Sequence, residues 1–172
     1  LTLSTFTSRF VYPQLSLEGR RFWVIGMLPM ERRTILTGKF VTAVLGSLLV
    51  SETLIVTSNL MLDIPMLLSL LHVGTVAAIC VGLSGLGVGL GAMFPNFGED
   101  NPSKIVAGFG GTLNLVVSLC FVTTVIVLEA VPCHQYYAKG AMTEGAFHGW
   151  IAASLAGIAL VAAATAAVPM AL

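Results

Sequence analysis

Charge is what this chain has least of. Its 172 residues include eight Lys or Arg and eight Asp or Glu, 9% in all, where a soluble domain carries roughly 25%. So little charge cannot cover a surface facing water on every side. With a mean hydropathy of +0.95, the expected solvent is mostly lipid. No basic stripe is present, so nucleic acid is not an expected partner. The three cysteines form no C-x-x-C pair, which leaves no support for a metal centre or a redox couple. Cys80 and Cys120 lie in apolar runs as small hydrophobes, and Cys133 lies at the edge of one. The phosphate-loop phrase G-x-x-x-x-G-K-[ST] does not occur, so nucleotide binding of that kind is not expected, nor is any cofactor. No charged n-region precedes a short apolar stretch with a small-residue cleavage site, so no signal peptide is expected. Residue 1 is Leu rather than Met, and the simplest expectation is a fragment of a longer protein.

What the chain does have is long apolar runs. A transmembrane helix needs about 20 mostly apolar residues. Four runs qualify, at about 40–62, 66–94, 105–131 and 149–172. Asp63-Ile64-Pro65 divides the first from the second. The stretch from Pro95 to Pro102 ends the second, and Pro132 stops the third. The runs are continuous, lack period-2 alternation and are about twice the ~10 residues of a membrane strand, which argues for helices over a barrel. The expected fold is an all-α membrane protein: a polytopic bundle of four transmembrane helices, with residues 1–39 supplying the end of a preceding span and a cytoplasmic amphipathic segment.

The few charges are unevenly placed. Arg9, Arg20, Arg21, Arg32, Arg33, Lys39 and Lys104 fall in segments that alternating topology puts on one side, and only Lys139 falls on the other. Positive residues collect on the cytoplasmic side. Residues 13–39 and 95–104 are therefore expected inside, and 63–65 and 133–148 outside. Lipid is the expected surrounding, in a multi-pass membrane location such as a bacterial inner membrane.

Four features invite functional readings. Pro29 suits a helix start, Glu31 its first turn and Lys39 its last. Met30, Ile35 and Leu36 share a face, with Arg32 and Arg33 largely opposite, which fits a short amphipathic helix at the membrane surface. A basic flank that orients the next span fits the same residues. Glu52 lies near the middle of the first run, where an ionisable group costs roughly 2.5–3.5 kcal/mol on insertion scales. It marks either a substrate or proton pathway or a structural hydrogen bond to Asn59, Ser51 or Asn114. Glu129 is expected to reach interfacial water. The second run carries Gly85, Gly87, Gly89 and Gly91, spaced as G-x-x-x-G, which lets helix backbones approach closely. Gly108, Gly110 and Gly111 open the third run as candidates to meet that face. Finally, Gly82-Leu83-Ser84-Gly85 matches the G-x-S-G of rhomboid-type intramembrane proteases, but a serine nucleophile needs a base within reach. His72 would lie about 18 Å along the same helix at 1.5 Å per residue.

One resemblance covers most of residues 11–120. Pro29-Met-Glu31-Arg32-Arg33-Thr-Ile35-Leu36-Thr-Gly38-Lys39 is similar to the phrase that type-2 ATP-binding-cassette (ABC) exporter permeases carry before the third of six spans. Tyr12-Pro13-Gln-Leu-Ser-Leu-Glu18-Gly19-Arg20 and Phe94-Pro95-Asn-Phe97, followed by Asn101-Pro102-Ser-Lys104 through Gly110-Gly111, resemble one exporter branch of that class. The resemblance implies that the runs correspond to the third to sixth spans. It further implies that Pro29–Lys39 touches a separate ATPase subunit and transmits its closure, that a second permease copy is a candidate partner, and that the chain is not itself an enzyme. A scaffold or accessory subunit without a transport path is the alternative, and an intramembrane serine protease a weaker one. The substrate does not follow from the resemblance.

Overall fold

The structure is a computed structural model that describes residues 5–21, 27, 32–137, 140 and 143–171. It is all-α among the described residues, and four of its helices are long and apolar enough to cross a membrane. An N-terminal segment opens with a π-helical turn over Thr7–Val11 and continues in 3-10 turns over Tyr12–Gln14 and Ser16–Arg21. Among the described residues five helices follow: α1 (Arg32–Met61), α2 (Met66–Met93), α3 (Pro102–Ala107), α4 (Phe109–Tyr137) and α5 (Glu144–Ala171). The four long ones are α1, α2, α4 and α5.

The boundaries follow local chemistry. α1 and α2 form a hairpin around Asp63, which takes φ 48°, and Pro65, which is extended at φ −52°, ψ 140° just before α2. At α3 the Asn101 side chain accepts from the Ser103 N–H at 3.0 Å while Pro102 occupies the first helical position, a standard start signal. Gly108 then leaves helical geometry at ψ 172°, so the expected run from 105 is split into α3 and α4. At its other end α4 continues through Pro132 to Tyr137, where the sequence suggests a stop at 131. Helices in apolar surroundings tolerate proline because neighbours re-satisfy the freed carbonyl. α5 likewise begins at Glu144 rather than near 149, so the polar loop between α4 and α5 is shorter than expected.

The segment 32–39 also differs from expectation. It forms the first turns of α1 with no break before the apolar run, rather than a separate surface helix within the described residues. Helix propagation past a single Gly at position 38 costs only about 1 kcal/mol, less than starting a new helix.

α2 is the centre of the bundle and the most buried of the four long helices. It packs most extensively on α5, and also on α1, α4 and the N-terminal segment. Two apolar clusters hold it. Ile79 and Leu83 of α2 meet Val122 and Val125 of α4 and Ile158 of α5. Val88 of α2 meets Val11 of the N-terminal segment and Leu36 and Ala43 of α1. Leu36, Lys39, Ala43 and Ser47 recur at helical spacing along the inner side of α1; Leu36, Ala43 and Ser47 are buried there. At the far end, the Tyr136 and Phe147 rings stack at 4.3 Å between centroids, tying α4 to α5. The Trp150 indole N–H donates to the Leu128 carbonyl at 3.3 Å across the same pair.

Candidate functional site

Two parts of the bundle gather the polar and glycine residues that could carry function. The first lies where the N-terminal segment, α1, α2 and the start of α4 converge. There Gly82, Gly85, Gly87, Gly89 and Gly91 of α2 are all buried. A Cβ at Gly87 would lie 3.0 Å from Val11 Cγ1, and one at Gly91 would lie 2.5 Å from the Tyr12 carbonyl oxygen. On α4, a Cβ at Gly110 would collide with the Tyr12 hydroxyl. Tyr12 thus sits in a slot made by one glycine from each of two helices, and its hydroxyl donates to the Phe94 carbonyl at 3.3 Å. Gly87 and Gly91 of the glycine face thus pack on protein. Their main partner is the N-terminal segment, whereas Gly111 faces Val106 of α3. Two further bonds secure the segment: Asn114 donates to Ser8 Oγ at 3.1 Å, and the Asn96 N–H donates to Ser16 Oγ at 3.0 Å.

The residues proposed from sequence to touch an ATPase divide here. Pro29 and Glu31 lie outside the described residues, and Arg32 opens α1. Arg33 and Gly38 are exposed, and Ile35 is half-buried. Leu36 is only 8% exposed and belongs to the cluster with Val11 and Val88. Lys39 Nζ pairs with Glu18 Oε1 at 2.6 Å, inside this chain. Leu36 and Lys39 are therefore committed to the N-terminal segment.

Glu52 lies half-buried on α1. Both carboxylate oxygens are buried and have no hydrogen-bond partner among the described residues. Two of the partners suggested from sequence are engaged elsewhere: Asn114 with Ser8, and Asn59 with Ser69 and His72. Ser84 is fully buried with no hydrogen-bond partner among the described residues, while His72 bonds Asn59. The G-x-S-G serine thus has no histidine beside it.

The second part lies towards the Asp63–Pro65 turn, where α1, α2 and α4 line an open-sided cavity of about 590 Å³. Asn59 Nδ2 donates to Ser69 Oγ at 3.0 Å across the hairpin, and His72 Nδ1 lies 3.1 Å from Asn59 Oδ1. The Thr75 hydroxyl donates to Glu129 Oε1 at 2.5 Å. Glu129 is half-buried and turned toward α2, rather than simply reaching outward as expected. Sequence reasoning passed over this group. Its signal was available: Asn59 and Ser69 lie five residues either side of Ile64 in the turn, so a hairpin of antiparallel helices must bring them level. That Glu129 reaches Thr75 depends on α4 running antiparallel to α2, a pairing that the glycine contacts establish elsewhere.

A family model described as "Putative ATP-binding cassette" matches residues 1–172. The chain belongs to that family. No curated protein and no solved structure matches it. The family's description names the nucleotide-binding part of an ABC transporter, yet this ABC-family chain has four membrane-length helices and no phosphate-loop phrase in its sequence. The match supports a transport context and its kinship with ABC systems.

Proposed function

We propose that this chain is the membrane-spanning permease part of an ABC-type exporter, and that a separate ATPase subunit hydrolyses ATP for it. The observation that carries this reading is the conjunction of ABC-family membership across the whole chain with four helices of membrane length. ATP binding on the partner would bias the bundle between two helix arrangements, which requires only that the partner bind them with different affinity.

The orientation follows the basic residues. Seven of the eight Lys and Arg lie in segments at the start of α1, in the N-terminal segment and around α3. The Ser16–Asn96 and Lys39–Glu18 bonds bring these segments to one end of the bundle, which we assign to the cytoplasm. Cysteine labelling tests this in a background lacking the native cysteines. Ser103 and Thr143 are both exposed. An impermeant reagent applied from outside should label a cysteine at 143 and not at 103; the reverse pattern overturns the orientation.

The ATPase contact falls to the outward residues at the start of α1, with Arg33 and Ile35 as its accessible members. Leu36→Ala would hollow the cluster around Val11 and Val88, at about 2–5 kcal/mol, and so reports stability rather than partnership. Mild-detergent purification of the full-length protein should bring an ATP-hydrolysing subunit with it, and its absence would sink the permease reading. Ile35→Ala should loosen that association more than Arg33→Ala, because buried anchors carry more of an interface than rim charges, while insertion stays intact. Unchanged association in the double variant would move the contact elsewhere.

A further inference from the structure

We infer that the cavity between α1, α2 and α4 is a binding site for an amphiphilic amine, an apolar body bearing a protonated primary or secondary ammonium. As exported cargo, such an amine deepens the permease reading and rests on it; as a bound ligand it stands on the cavity alone.

The cavity's volume, about 590 Å³, falls within the roughly 300–1,000 Å³ of small-molecule pockets. Its walls are mostly aliphatic, with Leu54 and Ile55 from α1, Val76 and Ile79 from α2, and Val122 and Ile126 from α4. Such walls hold a hydrocarbon body and give it no polar orientation. Orientation comes from one side. Among the described residues that line the cavity, Glu129 is the one acidic group, and none is Lys or Arg. Thr75 fills one acceptor position at Glu129 Oε1. An ionised carboxylate offers about four such positions, so most remain for an ammonium. His72 also lines the cavity, and its Nδ1 faces the Asn59 carbonyl oxygen.

The kind of cation follows from what the walls lack. No Phe, Tyr or Trp lines the cavity among the described residues, and quaternary ammonium recognition relies on aromatic faces. A carboxylate in a cavity also lined by the hydroxyl-bearing Ser58 instead suits a head with N–H donors, which form charge-assisted hydrogen bonds. An anionic amphiphile would meet Glu129 with no Lys or Arg in the lining to offset it. A neutral one would forfeit the charged bond.

The test uses the full-length protein in phosphatidylcholine nanodiscs with N-dansylcadaverine, a fluorescent amphiphile ending in a primary ammonium. Its N-pentyl dansylamide counterpart, which lacks the amine, reports binding by hydrocarbon alone. Fluorescence titration and equilibrium dialysis against empty nanodiscs should show saturable binding of the amine, about ten-fold tighter than the neutral compound. Glu129→Gln should remove that preference and leave the neutral compound's weak binding unchanged. Ile126 is 54% exposed, so Ile126→Trp adds bulk at a wall with room to take it. That variant should lose the amine while retaining every polar group, and it tests the same cavity should Glu129→Gln fail to assemble. Equal binding of the two compounds, unaltered amine binding in either variant, or no binding above empty discs would overturn the site. Charge-selective binding by a protein that brings no ATPase with it would sink the exporter reading and leave the site standing. An ATPase partner without charge-selective binding would sink the site alone.

Discussion

The two halves of α2 meet their neighbours differently. From Gly82 to Gly91 every glycine of the helix is buried, and the Val11–Tyr12 backbone approaches so closely that a single added carbon at Gly91 would strike it. From Ser69 to Val76 the same helix carries hydroxyls and an imidazole, and the space between it and α1 and α4 opens into a cavity. Apolar attraction is weak as a force between helices in lipid; close packing and hydrogen bonds hold them instead. One half of α2 uses the first and the other half uses the second. Where side chains are absent the backbones touch, and where polar side chains pair across the hairpin a cavity opens beside them.

The sharpest way to break this contrast is to add volume where it is least tolerated. Gly91→Leu places its side chain against the Tyr12 carbonyl, which is backbone and cannot swing away. Overpacking typically costs about 1–3 kcal/mol and sometimes more, and this variant should lie at or above the top of that range, measured by the unfolding midpoint in detergent. Gly87→Leu meets the Val11 side chain, which can yield, so its loss should be smaller, within about 1–3 kcal/mol. If both assemble and withstand detergent like the parent, the close-packed half is not what holds α2.

Polar changes in the other half should cost less. Thr75→Val removes the hydroxyl that donates to Glu129. Hydrogen bonds between helices in apolar surroundings measure about 0.6 kcal/mol on average and up to about 1.7, so the shift should fall in that span. A loss above that of Gly87→Leu would reverse the ranking of the two halves. Glu18→Gln removes the charge that pairs with Lys39, the two side chains being 30% and 17% exposed. We expect a loss of about 1 kcal/mol or less, shrinking as salt is added. Gly46 supplies the control, since nothing lies within 4 Å of the position a Cβ would take there. Gly46→Ala should therefore cause no loss, and at most a gain of about 1 kcal/mol from helix propensity.

Much of this was legible in the chain itself. The scarcity of charge and the four apolar runs determined an all-α bundle of membrane-length helices, because a backbone without water must satisfy itself within each helix. The Asp63–Pro65 turn, the Asn101-Pro102 start and the small residues of α2 were equally plain, since each is a local conformational or steric property. Pro132 misled, because its lost N–H ends a helix in water more readily than one packed among neighbours. The inward commitment of Leu36 and Lys39 was not legible either: the same face could pack on a partner or on this chain, and only the position of Val11, Val88 and Glu18 decides. So too with Tyr12, seated between Gly91 and Gly110, and with Glu129, which finds Thr75 fifty-four residues away. Pairings at that separation depend on which helices become neighbours and at what register. Hydrophobic pattern, which every long helix here shares, does not encode that choice, and the tertiary structure makes it.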